Sequence, residues 1–198
     1  MNNMKKVTAI ALAAGAIGIA FMPATASAAG FYIGADAARL STELDYGFSE
    51  EYATQHVRVK AGYEFADFIA IEGHVYTSND DDDIDINGDR FAFDTGNIIG
   101  VYAKPKTNFA TANVYGLVGL SIWDTTYTML TGVLATSRDT ESVVMFGFGV
   151  GGEFNITKNL RFNIEGMLHV GSADYSTFFA DSVDMYSLGL AAGMSYKF

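Results

Sequence analysis

His56-Val57-Arg58-Val59-Lys60-Ala61-Gly62-Tyr63-Glu64-Phe65 alternates residue by residue between two kinds of side chain. Successive side chains of a β-strand point to opposite faces. One row therefore holds Val57, Val59, Ala61, Tyr63 and Phe65, and the other His56, Arg58, Lys60, Gly62 and Glu64. After the short turn Ala66-Asp67 the pattern resumes, with Ile69, Ile71, Gly73 and Val75 set against Ala70, Glu72, His74 and Tyr76. Two long strands with one apolar and one chargeable face, joined tightly, make an antiparallel hairpin.

The same period extends in both directions. Phe162, Ile164, Gly166, Leu168 and Val170 oppose Arg161, Asn163, Glu165 and His169. Near the end, Leu188, Leu190, Ala192, Met194, Tyr196 and Phe198 oppose Ser187, Gly189, Gly193, Ser195 and Lys197. Segments 30–40, 91–104, 113–123 and 141–154 alternate less cleanly; in 113–123 the apolar face is read as Val114, Val118, Leu120 and Ile122. That makes eight candidate strands. Asn87-Gly88 suits a type I′ turn pairing Ile84 with Phe91, and a one-residue bulge below it is then required to keep Ile71 and Val101 on the same side.

A soluble sandwich and a membrane barrel both alternate, and three features favour the barrel. Lys5 and Lys6, the apolar run Val7 to Met22, Pro23 and Ala26-Ser27-Ala28 form a secretory signal, expected to end at Ala28 and leave a mature domain over 29–198. The apolar run is shorter than the roughly 20 residues a spanning helix needs. The connections alternate between short ones (66–67, 105–112, 155–159) and longer acidic ones (41–53, 78–89, 124–140, 172–183), the rhythm of periplasmic turns and external loops. Phe31, Tyr63, Phe65, Phe154, Tyr196 and Phe198 all fall beside the short-turn end, where an interfacial girdle lies. The expected fold is all-β: an eight-stranded antiparallel up-and-down transmembrane β-barrel in the outer membrane, in contact with its lipids.

Composition narrows the chemistry. With no cysteine, disulfides and thiolate metal sites are excluded. Loss of the signal takes the net charge from −11 to −13, which argues against a nucleic-acid partner.

The segments Gly62-Tyr63-Glu64-Phe65, Ile71-Glu72-Gly73 and Gly193-Met194-Ser195-Tyr196-Lys197-Phe198 resemble the small outer-membrane β-barrel family that includes OmpX, Ail and the membrane domain of OmpA. The resemblance spans 29–198. It implies that Met194, Tyr196 and Phe198, on the last strand, form the signal read by the barrel-assembly machinery.

Several constellations could carry chemistry. Arg58, Lys60, Glu64, Glu72, Glu153, Arg161, Glu165 and Lys197 fall on inward rows, where unpaired charges are costly, so they are expected to pair. Such a network reads either as a structural plug or as a gated ion path; eight strands leave a lumen that side chains just fill. Asp83, Asp85 and Asn87, with Gly88 and then Asp94, match part of a calcium loop, the one cofactor the sequence suggests. The competing reading is the hairpin turn with a solvated acidic stretch beside it. Gly147, Gly149 and Gly152 spell GxGxxG without a strand-to-helix switch, so crowding on a curved wall is the better explanation. His169 near Ser172 and Asp174 is the only local echo of a hydrolase.

Tyr46, Phe48, Tyr52, Tyr127, Met129, Leu130, Tyr175, Phe178 and Phe179 are expected on the external loops among acids, a composition suited to a surface or host ligand. The leading expectation is a non-enzymatic envelope protein that interacts through its external loops. A narrow porin-like channel is the alternative, and a rim-sited hydrolase or acyltransferase the third.

Overall fold

The computed structural model describes residues 29–45, 49–77, 81–86, 89–107, 109, 111–131, 134–174 and 182–198, with backbone only at 49–50, 81–86, 89–91, 130–131 and 134–136. The segment expected as a signal, 1–28, lies outside the described residues.

Nine strands run in chain order: β1 (Gly30–Asp45), β2 (Ser49–Ala66), β3 (Ile69–Thr77), β4 (Asp81–Ile86), β5 (Asp89–Pro105), β6 (Ala112–Thr131), β7 (Leu134–Asn155), β8 (Leu160–Ala173) and β9 (Val183–Lys197). All pairings are antiparallel, β1 pairs with both β2 and β9, and the β3–β5 pairing closes the sheet on itself. β3 and β4 lie one after the other along the same edge of β5, so they are two pieces of one wall strand. The barrel is therefore eight-stranded.

Ile84 pairs with Phe91, and Asn87-Gly88 falls between the paired ends Ile86 and Asp89. Between Thr95 and Ile98 the register with β6 slips by one residue. This bulge flips the phase of β5, and both Ile71 and Val101 face outward below it.

Val57, Val59, Val118, Leu120, Ile164, Leu168, Leu188 and Leu190 are exposed on the outside, while Arg58, Glu72, Asn163 and Glu165 are buried within. On β7 the apolar outward row runs from Val144 to Phe154. At about 3.3 Å per residue and a tilt near 40°, it rises roughly 25 Å, the height of a hydrocarbon-facing band. The short-turn end carries the girdle: Phe31–Phe198, Tyr63–Phe65 and Tyr196–Phe198 ring centroids lie 6.0, 4.9 and 5.2 Å apart.

Three of the four long external loops are corrected. β1 pairs with β2 as far as Asp45 and Ser49, β4 with β5 to Ile86 and Asp89, and β6 with β7 to Thr131 and Leu134. What reads as acidic loop is mostly sheet that continues beyond the membrane. The alternation persists there with its polarity reversed. On β1 the outward row changes from Ile33, Ala35 and Ala37 to Arg39, Ser41, Glu43 and Asp45, while the inward row gains Leu40 and Leu44. Outside the bilayer the outer face meets water, so the apolar row must turn inward.

Candidate functional site

The lumen divides into two storeys. The lower one, toward the short turns, is ionic. Glu64 on β2 receives Lys106 from the β5–β6 turn at 2.5 Å, Arg161 on β8 at 2.5 Å, and Lys197 on β9. Arg161 also lies 3.5 Å from Glu153, which accepts from Lys104 at 2.6 Å. Lys104 reaches on to Glu72 at 3.0 Å and stacks its ammonium over the Tyr115 ring, 4.0 Å from the centroid. Glu72 also accepts from the Tyr32 hydroxyl at 2.5 Å and contacts His74 Nε2 at 2.6 Å.

Above these, Arg58 holds Asp36 through Nε at 2.7 Å, pairs with Glu165 across the lumen and donates to the Tyr76 hydroxyl at 3.1 Å. Lys60 lies 3.1 Å from Asp36, which also accepts from Asn163 at 3.0 Å, and Tyr115 donates to Glu165 at 2.9 Å. Among the described residues, six cations thus face five anions. All eight charges assigned from sequence to the inward rows lie in this network. Sequence reading missed Asp36, Lys104 and Lys106 and the tyrosines that bridge them. A charge set among small or apolar neighbours was the available signal at Asp36, between Ala35 and Ala37, and at Lys104, after Val101, Tyr102 and Ala103.

The upper storey is apolar, which the sequence reading did not anticipate. Leu40, Leu44, Tyr52, Phe93, Ile98, Trp123, Tyr127, Val143, Met145, Val183 and Met185 form one buried cluster. The Tyr52 and Phe93 rings pack at a tilt with centroids 5.3 Å apart, and Trp123 donates to Ser121 at 2.7 Å. Tyr52 and Tyr127 are therefore not on the ligand-facing surface expected for them. Each sits on an inward position of a strand that continues past the membrane, at 0% and 2% exposure. Met129 is half-buried. Tyr46, Phe48, Tyr175, Phe178 and Phe179 lie outside the described residues, as does the Leu130 side chain.

The other constellations separate. His169 is buried, with Nε2 3.2 Å from the Tyr102 hydroxyl, whereas Ser172 and Asp174 occupy outward positions of the same segment. Alternation puts them on opposite sides of the wall. Gly147 and Gly149 lie beneath Tyr102, His169 and Met167, which fill the space a side chain would need. In the acidic hairpin Asp94 pairs with Asp81, while Asp83 and Asp85 stand opposite Ala92 and Arg90. Asn87 and the side chains of Asp83 and Asp85 lie outside the described residues. Met194, Tyr196 and Phe198 project together from the outward row of the β9 end.

Residues 9–198 match the family described as outer membrane protein beta-barrel domain. Among solved structures, neisserial surface protein A superposes with a TM-score of 0.60 at 20% identity, over 87% of this chain and 100% of that one. OprG from Pseudomonas aeruginosa gives 0.55 at 14% identity, over 86% and 96%. The attachment invasion locus protein Ail of Yersinia pestis, in complex with the heparin analogue sucrose octasulfate, gives 0.52 at 14% identity, over 85% and 99%. At these identities the likeness is one of fold. No curated protein sequence matches the chain.

Proposed function

The chain belongs to the outer membrane protein β-barrel family, and from that premise we propose a non-enzymatic envelope protein with a closed lumen. It serves as a stable wall element and interacts at the surface through the sheet that rises beyond the membrane. Residues 1–28 direct export, and Met194, Tyr196 and Phe198 present the last strand to the assembly machinery. One observation carries the closed-lumen reading. The largest fully buried side chains, among them Trp123, Arg58, Tyr32, Tyr52, Tyr76 and Phe93, span the lumen from the ionic storey to the apolar one. A channel would need an aqueous path past both.

The surface chemistry favours some partners over others. The outward row above the membrane carries Glu43, Asp45, Glu51 and Asp184, with Glu43 directly opposite Glu51 and Asp45 opposite Asp184. A polysulfated sugar of the kind bound to Ail would meet like charge here, so a cationic or neutral partner suits this crown better.

The deciding experiment is reconstitution in planar bilayers. The proposal expects no steady conductance steps; reproducible steps would establish the channel instead. A deletion strain compared for adhesion, serum survival and solute permeability separates the surface role from a transport role, since only the last should be unchanged.

A further inference from the structure

On the outer wall, Val114, Val150, Gly152, Ile164, Gly166 and Leu190 line a shallow hollow of about 300 Å³, open on its outer side. We propose that it holds one acyl chain of a glycerophospholipid in the periplasm-facing leaflet, with the lipid's phosphate on Lys158. This site rests on the reading that the chain spans the outer membrane.

The hollow is not a by-product of packing. Glycines on the inner face are dictated by what covers them: a Cβ at Gly62 would strike the Tyr32 ring, and one at Gly151 the Tyr115 ring. Gly152 and Gly166 point the other way. A Cβ there would meet Phe154 at 3.7 Å and Leu190 at 3.8 Å, ordinary contacts. Glycine weakens a strand interior, yet nothing inside the protein requires it at these two outward positions. They are diagonal neighbours on adjacent strands, through the pairings Gly152 with Ile164 and Val150 with Gly166. Their missing side chains open the wall toward hydrocarbon.

The foot of the hollow supplies the head-group contact. Gly152 stands three strand residues above Asn155, roughly 8 Å at about 3.3 Å per residue and a tilt near 40°, well inside one leaflet of a roughly 30 Å core. The Phe154 and Phe162 rings, 6.5 Å apart, lie between the hollow and the turn, at the girdle level. The turn is held by hydrogen bonds: Ile156 N–H donates to Leu160 O at 2.9 Å, and Leu160 N–H to Thr157 Oγ1 at 3.0 Å. Lys158 is exposed on that turn. The other cations at this end, Lys106, Arg161 and Lys197, are all drawn onto Glu64. Lys158, on the same turn at the girdle end, supplies a positive charge that complements an anionic phosphate there.

The test uses the whole barrel folded into mixed phosphatidylglycerol and phosphatidylethanolamine vesicles, extracted into mild detergent and weighed by native mass spectrometry. One phospholipid per barrel is expected. Phosphatidylglycerol should be enriched about fivefold over its share of the vesicle, the factor one basic residue contributes near an anionic surface. Gly152→Leu with Gly166→Leu should abolish the adduct. Gly73→Leu, at another outward glycine with room for a Cβ, should keep it. Lys158→Ala should keep the adduct and lose the enrichment. An inserted wild-type barrel without lipid, or an adduct indifferent to the double substitution, overturns the site. So does a two-barrel mass that the double substitution abolishes, which would assign the face to a second copy. Protease protection in the vesicles is scored separately: failure to insert strikes at the membrane reading, and loss of lipid from an inserted barrel strikes at this site alone.

Discussion

Arg58 on β2 and Glu165 on β8 form an ion pair across the lumen, although three strand-to-strand pairings separate them along the wall. Both side chains are fully buried, and Arg58 also holds Asp36. The pair is a strut: it ties opposite walls of the barrel at the top of the ionic storey, just beneath the apolar one.

Removing one end of that strut should leave uncompensated charge. Arg58→Met is expected to destabilise the barrel by about 3–5 kcal/mol, because Glu165 loses the cation it pairs with while Asp36 falls back on Lys60. Adding Glu165→Gln should recover part of the loss. Equilibrium urea unfolding in lipid vesicles measures both; a single mutant equal to wild type would show that the charges find water instead.

The polarity reversal along each strand predicts a depth profile. Ala61→Lys, in the middle of the outward row of β2, should cost about 2–4 kcal/mol, whereas Gln55→Lys, above the reversal, should cost about 0–1 kcal/mol. The same unfolding assay reads the difference. Equal costs at the two depths would count against membrane contact below Val57.

The apolar storey should behave like the core of a soluble protein. Phe93→Ala removes a ring packed on Tyr52 and should cost about 3–5 kcal/mol. Because this part lies beyond the bilayer, the loss should emerge as local opening: added protease should cleave within the crown while the membrane belt stays protected. Cleavage unchanged from wild type would place the crown's stability elsewhere.

The partial calcium-loop match at Asp83, Asp85 and Asn87 has a direct assay, titration of the folded barrel with Ca²⁺. A calcium loop uses alternate carboxylates as ligands, so a calcium site here requires Ca²⁺ binding to the folded barrel that both Asp83→Ala and Asp85→Ala weaken. Identical curves for wild type and both variants would remove the site.

The strongly alternating segments were read correctly because their contrast is local. Period two was enough to set Val57 and Val59 opposite Arg58 and Lys60. It was also enough to require a bulge in β5, which falls between Thr95 and Ile98. Where contrast is faint the reading lost residues. Asp36 sits among Ala35, Ala37 and Ala38, and Lys104 lies beyond the phase flip of the bulge. Tyr52 and Tyr127 were misplaced for another reason: acidic outward rows near them resemble loop, although the strands run on.

By itself the sequence settled the part of the wall that lies within the membrane: which segments cross it and which row faces out. That follows because the direction of a side chain along a strand depends only on the backbone's own repeat. Partners inside the barrel were decided only by closure and stagger, which bring Arg58 to Glu165 and gather Lys106, Arg161 and Lys197 on Glu64. Closure also decided where water replaces lipid around each strand, and so where the interior turns from ionic to apolar. No local pattern contains that height, because it depends on how far every strand is shifted against its neighbours.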